Sequence, residues 1–342
     1  MHSARPVPGP AREPGAAERV VALVGPTAVG KSSVAVELAQ LLGAEIVSCD
    51  SMQVYRRMRV LSQAPTHAQR AQVPHHAIEC VEPTEPFSVG AYCRLAAPAI
   101  ERLLACGKRV LIVGGTGLYV KALAEGLCEA PPADAGVRER LWNECRGLGS
   151  PTLHHRLQRV DAAAASRIHP HDVRRVIRAL EVYAVTGRPL SSWWQETSRV
   201  LRCRPITVIG LTRERAALYQ RINTRLLHMI YEEAVINEVR SVLPLPLSQT
   251  ARQVHGLADI ERYLEGQLTL KELVAVWQQR VRNYARRQLT WFRQTPGIRW
   301  VSISDEERPW ETAGRIREGL PRIASATVAS APAASPRTDS EV

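Results

Sequence analysis

Residues 25–32 read GPTAVGKS, which fits the pattern G-x-x-x-x-G-K-[ST]. The stretch follows an apolar run, Val20–Val24, and precedes SVAVELAQLLG, which has the look of a helix. A strand that feeds a glycine-containing loop and then a helix is built to hold phosphate. Gly25 and Gly30 let backbone N–H groups turn toward an anion across Pro26, Thr27, Ala28 and Val29. Lys31 adds a positive charge, and the Ser32 hydroxyl can ligate magnesium. This loop also limits the fold. The runs EIVS (45–48), RVLIVGG (109–115) and PITVIGL (205–211) are short, continuously apolar and separated by helical segments. The predicted fold class is therefore α/β, a P-loop-type parallel sheet core with helices on both faces and a helical insert subdomain.

Strand signals disappear between about 125 and 199. In SPTLHHRLQRV, Ser150 reads as an N-cap with Pro151 at the first helical position. DVRRVIRALEVY puts Val173, Val176, Ile177 and Leu180 on one helical face and leaves Arg174, Arg175 and Arg178 outside it. A helix is predicted over Ser88–Cys106 with a kink at Pro98. Another is predicted from the capping box Thr269/Glu272 to about Phe292. The expected division is a core over 20–120 and 200–305, a helical insert over 121–199, a disordered leader over 1–19 and a largely disordered tail over 306–342. The two ends are rich in Pro, Ala and Ser and poor in apolar periodicity.

The formal net charge is +12. Seventeen of the basic residues fall between Arg199 and Arg299 against eight acidic ones, a local surplus of nine. An anionic partner accounts for such an excess, and so do solvated faces of an arginine-rich chain. The seven cysteines are scattered and never spaced C-x-x-C, which favours reduced thiols in a cytoplasmic protein. No apolar run reaches membrane-spanning length, and no membrane partner is expected.

A nucleotide hydrolase or kinase also needs an acid at the end of a second apolar strand. RVLIVGGTG ends in glycines and a threonine instead. The acid stands elsewhere: EIVSCDSMQVY puts Asp50 just beyond the second strand, at the edge where open parallel sheets face their ligands. There it can hold magnesium through water or take a proton from an incoming nucleophile. A loop Asp bonded to backbone is the bland alternative.

Taken together, GPTAVGKS, DSMQVYRRM, GGTGLYVKAL, RIHPHDVRRVIRALEVY and YARRQLTWFR, in this order over about residues 20–303, resemble the tRNA dimethylallyltransferase (IPP transferase) family. The resemblance implies transfer of a dimethylallyl group from dimethylallyl diphosphate to the exocyclic N6 amine of adenine 37 in the tRNA anticodon stem-loop. It implies Mg2+ as the cofactor and an expected monomer. Residues 25–32 would hold the diphosphate, with Lys31 and Arg221 supporting the leaving group, and Asp50 would be the general base. Asp50, Ser51, Met52, Gln53, Thr116, Arg138, Arg174, Arg175, Arg178, Arg286, Arg287, Gln288 and Arg293 correspond to tRNA-contacting positions. RMRVLSQAP (57–65), HGLAD (255–259) and QQRVRNYARRQ (278–288) depart from the family's usual GMDIGTAKP, IGYKE and KRNTRRYAKRQ. Prenyl transfer to free adenine nucleotides, a small-molecule P-loop kinase and a nucleotide-switched nucleic-acid binder are the competing readings.

Other residues are weighed more simply. His75, His76 and Glu79, and likewise His169 and His171, lack full ligand spacing and are not expected to hold a metal. Trp193 and Trp194 are expected to pack the insert against the core. Tyr284, Trp291 and Phe292 are expected to form a core-facing stripe among the arginines of the last long helix.

Overall fold

The computed structural model describes residues 19–128, 130–194, 196–198 and 205–320. The leader up to residue 18, Arg199, Cys203 and the chain beyond 320 lie outside the described residues. The strands are β1 (Val20–Val24), β2 (Ala44–Ser48), β3 (His75–His76), β4 (Arg109–Gly114), β5 (Leu127–Cys128), β6 (Thr197–Ser198), β7 (Thr207–Thr212) and β8 (Arg299–Ser302).

Six of these form one parallel sheet in the order β3-β2-β4-β1-β7-β8. β1 and β2 are buried along their whole length, and β4 is buried beyond Arg109, because helices cover both faces. The chain leaves β1, passes over to β2, and later inserts β4 between them. The loops that follow β1 and β4 therefore lie side by side at the carboxyl edge of the sheet, where such sheets bind ligands.

The four strands anticipated from the sequence are present, and the sheet carries two more. β3 is two residues long and gave no periodic signal. There His76 Nε2 lies 2.7 Å from Glu45 Oε2, and His75 Nδ1 lies 2.7 Å from the Val73 carbonyl oxygen. β8 is largely exposed and lacks the apolar run of a central strand.

The helix Lys31–Leu42 ends at Gly43 in the left-handed conformation, as expected. The helix Val89–Ala105 continues through Pro98, whose missing N–H leaves the Arg94 carbonyl without a helical donor. The long helix Leu270–Arg293 starts at the Thr269/Glu272 capping box. Two expectations need correction here. Ser150 is the first helical residue, preceded by Gly149, and its hydroxyl donates to the Pro170 carbonyl instead of capping. The tail is ordered well past 306: Pro309–Gly319 is a helix that packs on Lys31–Leu42 and buries Thr312, Ala313 and Ile316. Pro309 at its start and Glu311 in its first turn are the signals that low overall apolarity concealed.

A second, separate apolar cluster gathers Leu141, Leu153, Leu157, Val176, Ile177 and Leu180 from the helices Ala135–Leu148, Ser150–Val160 and Val173–Thr186, with Ile168 from the segment between the last two. The expected boundary at 121 cuts the helix Gly117–Glu125, whose Tyr119, Val120 and Leu123 belong to the main core. The division falls after it, where β5 and β6 pair antiparallel at the entry and exit of the insert. These are two-residue strands inside a stretch predicted to have none. Trp194 packs in the insert's own cluster, with the Arg167 guanidinium 4.9 Å from its ring, and Arg188 lies 4.3 Å over Trp193. Trp194 thus braces the insert internally, against the expectation that the pair joins it to the core.

Inside the insert, Glu181 is fully buried and hydrogen-bonded on both oxygens. Arg138 Nη2 (2.7 Å) and Arg178 Nη1 (2.9 Å) donate to its Oε2, and the Asp134 amide (2.8 Å) donates to Oε1. Removing one member of such a pair strands the others. The arginines are about a third exposed and can regain water, so the cost should sit at the low end of the usual range. Glu181→Ala is expected to lower stability by about 3 kcal/mol, read as an earlier urea midpoint, with Glu181→Gln losing less. An unchanged midpoint for Glu181→Ala would show that the network contributes nothing.

Candidate functional site

The phosphate loop runs from the end of β1 to the first turn of Lys31–Leu42. Ala28 sits at φ 63°, a left-handed conformation uncommon for a residue with a Cβ. Arg221, on the helix Arg215–Tyr231, donates from Nε to the Ala28 carbonyl at 3.1 Å. Arg213, just past β7, donates to the Val29 carbonyl (3.4 Å) and ties that contact to Asp305 and the Ser304 carbonyl, both at 2.6 Å. Lys31 Nζ donates to the Gly25 and Pro26 carbonyls at 3.0 and 2.8 Å. Burial pulls the Lys31 ammonium down to about 8; nearby Asp50 opposes the fall and Arg225 adds to it.

A cavity of about 940 Å³ opens over this loop. Thr27, Gly30, Lys31 and Ser32 line it together with Asp50, Arg221 and Arg225. Val60, Leu61, Ile78, Val254 and Val281 add apolar side chains to the lining, among polar ones such as Gln53, Gln63 and Gln220. Arg225 was not singled out from the sequence. It lies four residues after Arg221, one helical turn along the same face, which is the signal that could have found it. Burial brings it down to about 10, with Glu233 opposing.

Asp50 accepts the Met52 amide at 2.9 Å in a tight local turn. Burial raises its carboxyl above the usual range, while that backbone contact and Lys31 pull the other way. The bland reading of Asp50 as a backbone-bonded loop residue is thus partly right: one oxygen is engaged so, in a side chain that also lines the cavity. Gln53 Nε2 donates to the Gln63 carbonyl, joining this segment to the short helix Arg59–Ser62. That helix has no cap of its own, and the Glu238 carboxylate from Val235–Val242 accepts its Val60 and Leu61 amides at 2.9 and 2.7 Å.

A second cavity, about 530 Å³, adjoins the first, with Ser51, the residue after Asp50, in its lining. Ser51, Met52, Thr116, Arg174, Arg287 and Trp291 line it. The two cavities share Met52, Val254, His255, Tyr284 and Gln288. The Ser51 amide donates to Thr116 Oγ1 at 3.0 Å. Gln288 is buried at the junction: its Oε1 accepts the Thr27 amide (2.8 Å) and its Nε2 donates to the Gly115 carbonyl (2.9 Å). Only glycine fits beneath these side chains. A Cβ on Gly115 would lie 2.2 Å from Gln288 Nε2, and one on Gly117 would lie 2.1 Å from the Trp291 ring. The His255 ring lies 4.1 Å from that of Tyr284 at a tilt of 52°, and burial with Arg287 and Arg280 lowers it to about 4, so it is neutral at ordinary pH.

The basic residues selected from the sequence divide into groups. Arg138 and Arg178 are committed to Glu181. Arg175 pairs with Asp172 at 3.3 Å on the surface, and Arg286 bonds Asn283 on its own helix. Arg174 and Arg287 stand at the second cavity, and Arg293 is exposed. The expected core-facing aromatic stripe also splits: Phe292 is buried, Tyr284 lines the junction, and Trp291 is exposed at the rim. Among the described residues no helix is long and apolar enough to cross a membrane.

The electrostatics carry a test. Asp50 holds the Lys31 pKa up, so Asp50→Asn should lower it further below 8. Titration of the ε-carbon-labelled lysine by NMR measures this. A Lys31 signal titrating near 10.5 in the wild-type protein would mean that the ammonium is solvated and the pocket open.

Comparison with known proteins agrees with this architecture. A family profile described as IPP transferase matches residues 53–295, and one described as Isopentenyl transferase matches residues 18–73. The tRNA dimethylallyltransferase of Syntrophobacter fumaroxidans is 45% identical over 289 residues, 84% of each chain. The crystal structure of a full-length tRNA isopentenylpyrophosphate transferase from Bacillus halodurans aligns with a TM-score of 0.63 at 36% identity, covering 88% of this chain and 96% of that one. A eukaryotic dimethylallyltransferase acting on tRNA shares the fold at a TM-score of 0.73 and 24% identity, over 87% of this chain and 77% of that one. With a phosphate loop, a facing carboxylate and a second mouth at the carboxyl edge of its sheet, the chain belongs to the IPP transferase family.

Proposed function

We propose that this enzyme transfers the dimethylallyl group of dimethylallyl diphosphate to N6 of adenine 37 in tRNA and releases diphosphate. The observation that carries the reading is the meeting of two cavities beside Asp50. One is lined by the phosphate loop together with apolar side chains such as Val60, Leu61, Val254 and Val281, and the other is lined by Arg174 and Arg287. A prenyl diphosphate needs an anion cradle next to an apolar surface, and an RNA base needs a basic entrance.

The chemistry follows from that placement. The adenine amine is a weak nucleophile because its lone pair is delocalised into the ring. As its nitrogen bonds the allylic carbon, the carbon–oxygen bond to diphosphate breaks and the electron pair leaves on oxygen. The amine proton goes to the Asp50 carboxylate. Lys31, Arg221 and Arg225 surround the loop where the leaving group gains charge, and in a half-buried pocket that attraction is strong. Ser32 and Asp50 supply oxygen donors on the same cavity, a set that suits Mg2+, which keeps several of its own waters. When bound, the ion would neutralise diphosphate charge. Apolar side chains such as Val60, Leu61, Val254 and Val281 on the same cavity would shield the cation-like allylic carbon from water. The adenine reaches Asp50 only after leaving its stack.

Labelled dimethylallyl diphosphate offered with tRNA, and separately with AMP, tests the assignment. Prenylated tRNA is expected. Label on AMP alone, a requirement for ATP, or phosphate transfer to tRNA would overturn it.

Asp50→Ala should keep most of its diphosphate binding, with a modest loss from the missing metal donor, and turn over about 100-fold slower or worse. Lys31→Ala should lose mainly turnover, by about 2–4 kcal/mol of barrier. The pH profile of kcat/KM should be bell-shaped. On the acid side activity falls as Asp50 takes up a proton, at a pH above the usual carboxylate range because burial raises it. On the alkaline side it falls past about 8 as Lys31 loses its charge. A profile with no acid limb above the usual carboxylate range would remove Asp50 from the reaction, and one with no alkaline limb near 8 would remove Lys31.

A further inference from the structure

The helix Leu270–Arg293 turns Leu273, Trp277, Val281, Ala285 and Phe292 into the core. Trp291 departs from that pattern and keeps 37% of its surface exposed at the rim of the second cavity. A single exposed apolar residue needs no explanation by itself. Trp291 is distinguished by how it is held. Its five-membered ring lies so close to Gly117 that an added Cβ there would fall 2.1 Å from both Cδ1 and Nε1. The indole is thus seated against backbone on one side and open on the other. Leu118, next to that contact, is 46% exposed.

The surroundings indicate what the open side meets. Arg252 and Arg280 on the same rim are paired with Glu261 and Asp259. Arg174 and Arg287 form no ion pair among the described residues. A rigid ring beside these two guanidinium groups, neither in an ion pair and Arg287 lying 5.9 Å over the Tyr284 ring, matches a single-stranded nucleic acid, with a base on the ring and phosphates on the arginines. Pulling the reacting adenine out of its stack also leaves its neighbours without a stacking partner.

We propose that Trp291 is a stacking platform for the unpaired base next to the reacting adenine, a positioning residue that fixes the register of the RNA at the second mouth. The inference rests on the tRNA reading above.

The test uses the full chain and an anticodon stem-loop RNA in three forms: intact, abasic immediately 5′ of the target adenine, and abasic immediately 3′ of it. Binding is measured for wild type, Trp291→Phe and Trp291→Ala, with thermal melts to verify folding. Trp291→Ala should bind the intact RNA about 10-fold more weakly or worse, and Trp291→Phe should recover most of the loss. The slope of log affinity against log salt should not change, because no charge is removed. The Trp291→Ala deficit should vanish on one of the two abasic RNAs. Normal binding by a folded Trp291→Ala, or the same deficit on all three RNAs, would overturn the platform while leaving the acceptor assignment intact. A wild-type protein that neither binds nor prenylates the intact stem-loop would overturn the acceptor assignment, and the platform with it.

Discussion

Gln288 ties the site together. Its side-chain amide is buried between two loops that come from different strands, and it satisfies a donor in one and an acceptor in the other. A buried amide left half-bonded would cost more than the contact contributes, so both loops must stay in place together. Through Thr27 it reaches the phosphate loop, and through Gly115 it reaches the turn that carries Thr116 and holds Ser51. The diphosphate cradle, the Asp50 segment and the second mouth therefore move as one frame. Side-by-side placement of β1 and β4 makes this possible, since it brings both loops under the same helix.

Positive charge in this chain serves two ends that composition cannot tell apart. Arg138 and Arg178 neutralise a buried Glu181 and thereby fix the helices of the insert. Arg213 holds the phosphate loop from behind through Val29 while bonded to Asp305. Arg221 and Arg225 face the first cavity, and Arg174 and Arg287 face the second. The desolvation that lowers Lys31 and Arg225 is also what makes their attraction for an anion strong, because little water competes there.

Parts of the departing motifs acquire a physical account in three dimensions. The helix Arg59–Ser62 has no capping side chain in its own sequence, and Glu238 supplies one from 178 residues away. His255, where the family more often carries an aliphatic residue, sits against Tyr284 at the junction of the cavities and is kept neutral by burial and two arginines.

The sequence alone determined the phosphate loop, the four apolar strands, the parallel α/β class and the position of Asp50. These rest on local signals: a glycine spacing, a continuous apolar run, a strand end. The order of motifs along the chain was enough to place the family. The edge strands β3 and β8, the helix Pro309–Gly319 and the β5–β6 pair escaped, because each is short or exposed and owes its stability to contacts with segments far away in the chain. The fate of individual arginines and tryptophans was likewise decided by tertiary structure. Arg174 and Arg178 stand four residues apart on one helix, yet one meets Glu181 and the other the open mouth. Trp277 and Trp291 share a helix, and one is buried while the other is exposed. Helical periodicity sets which face a side chain leaves from, but what stands opposite that face depends on how distant segments pack.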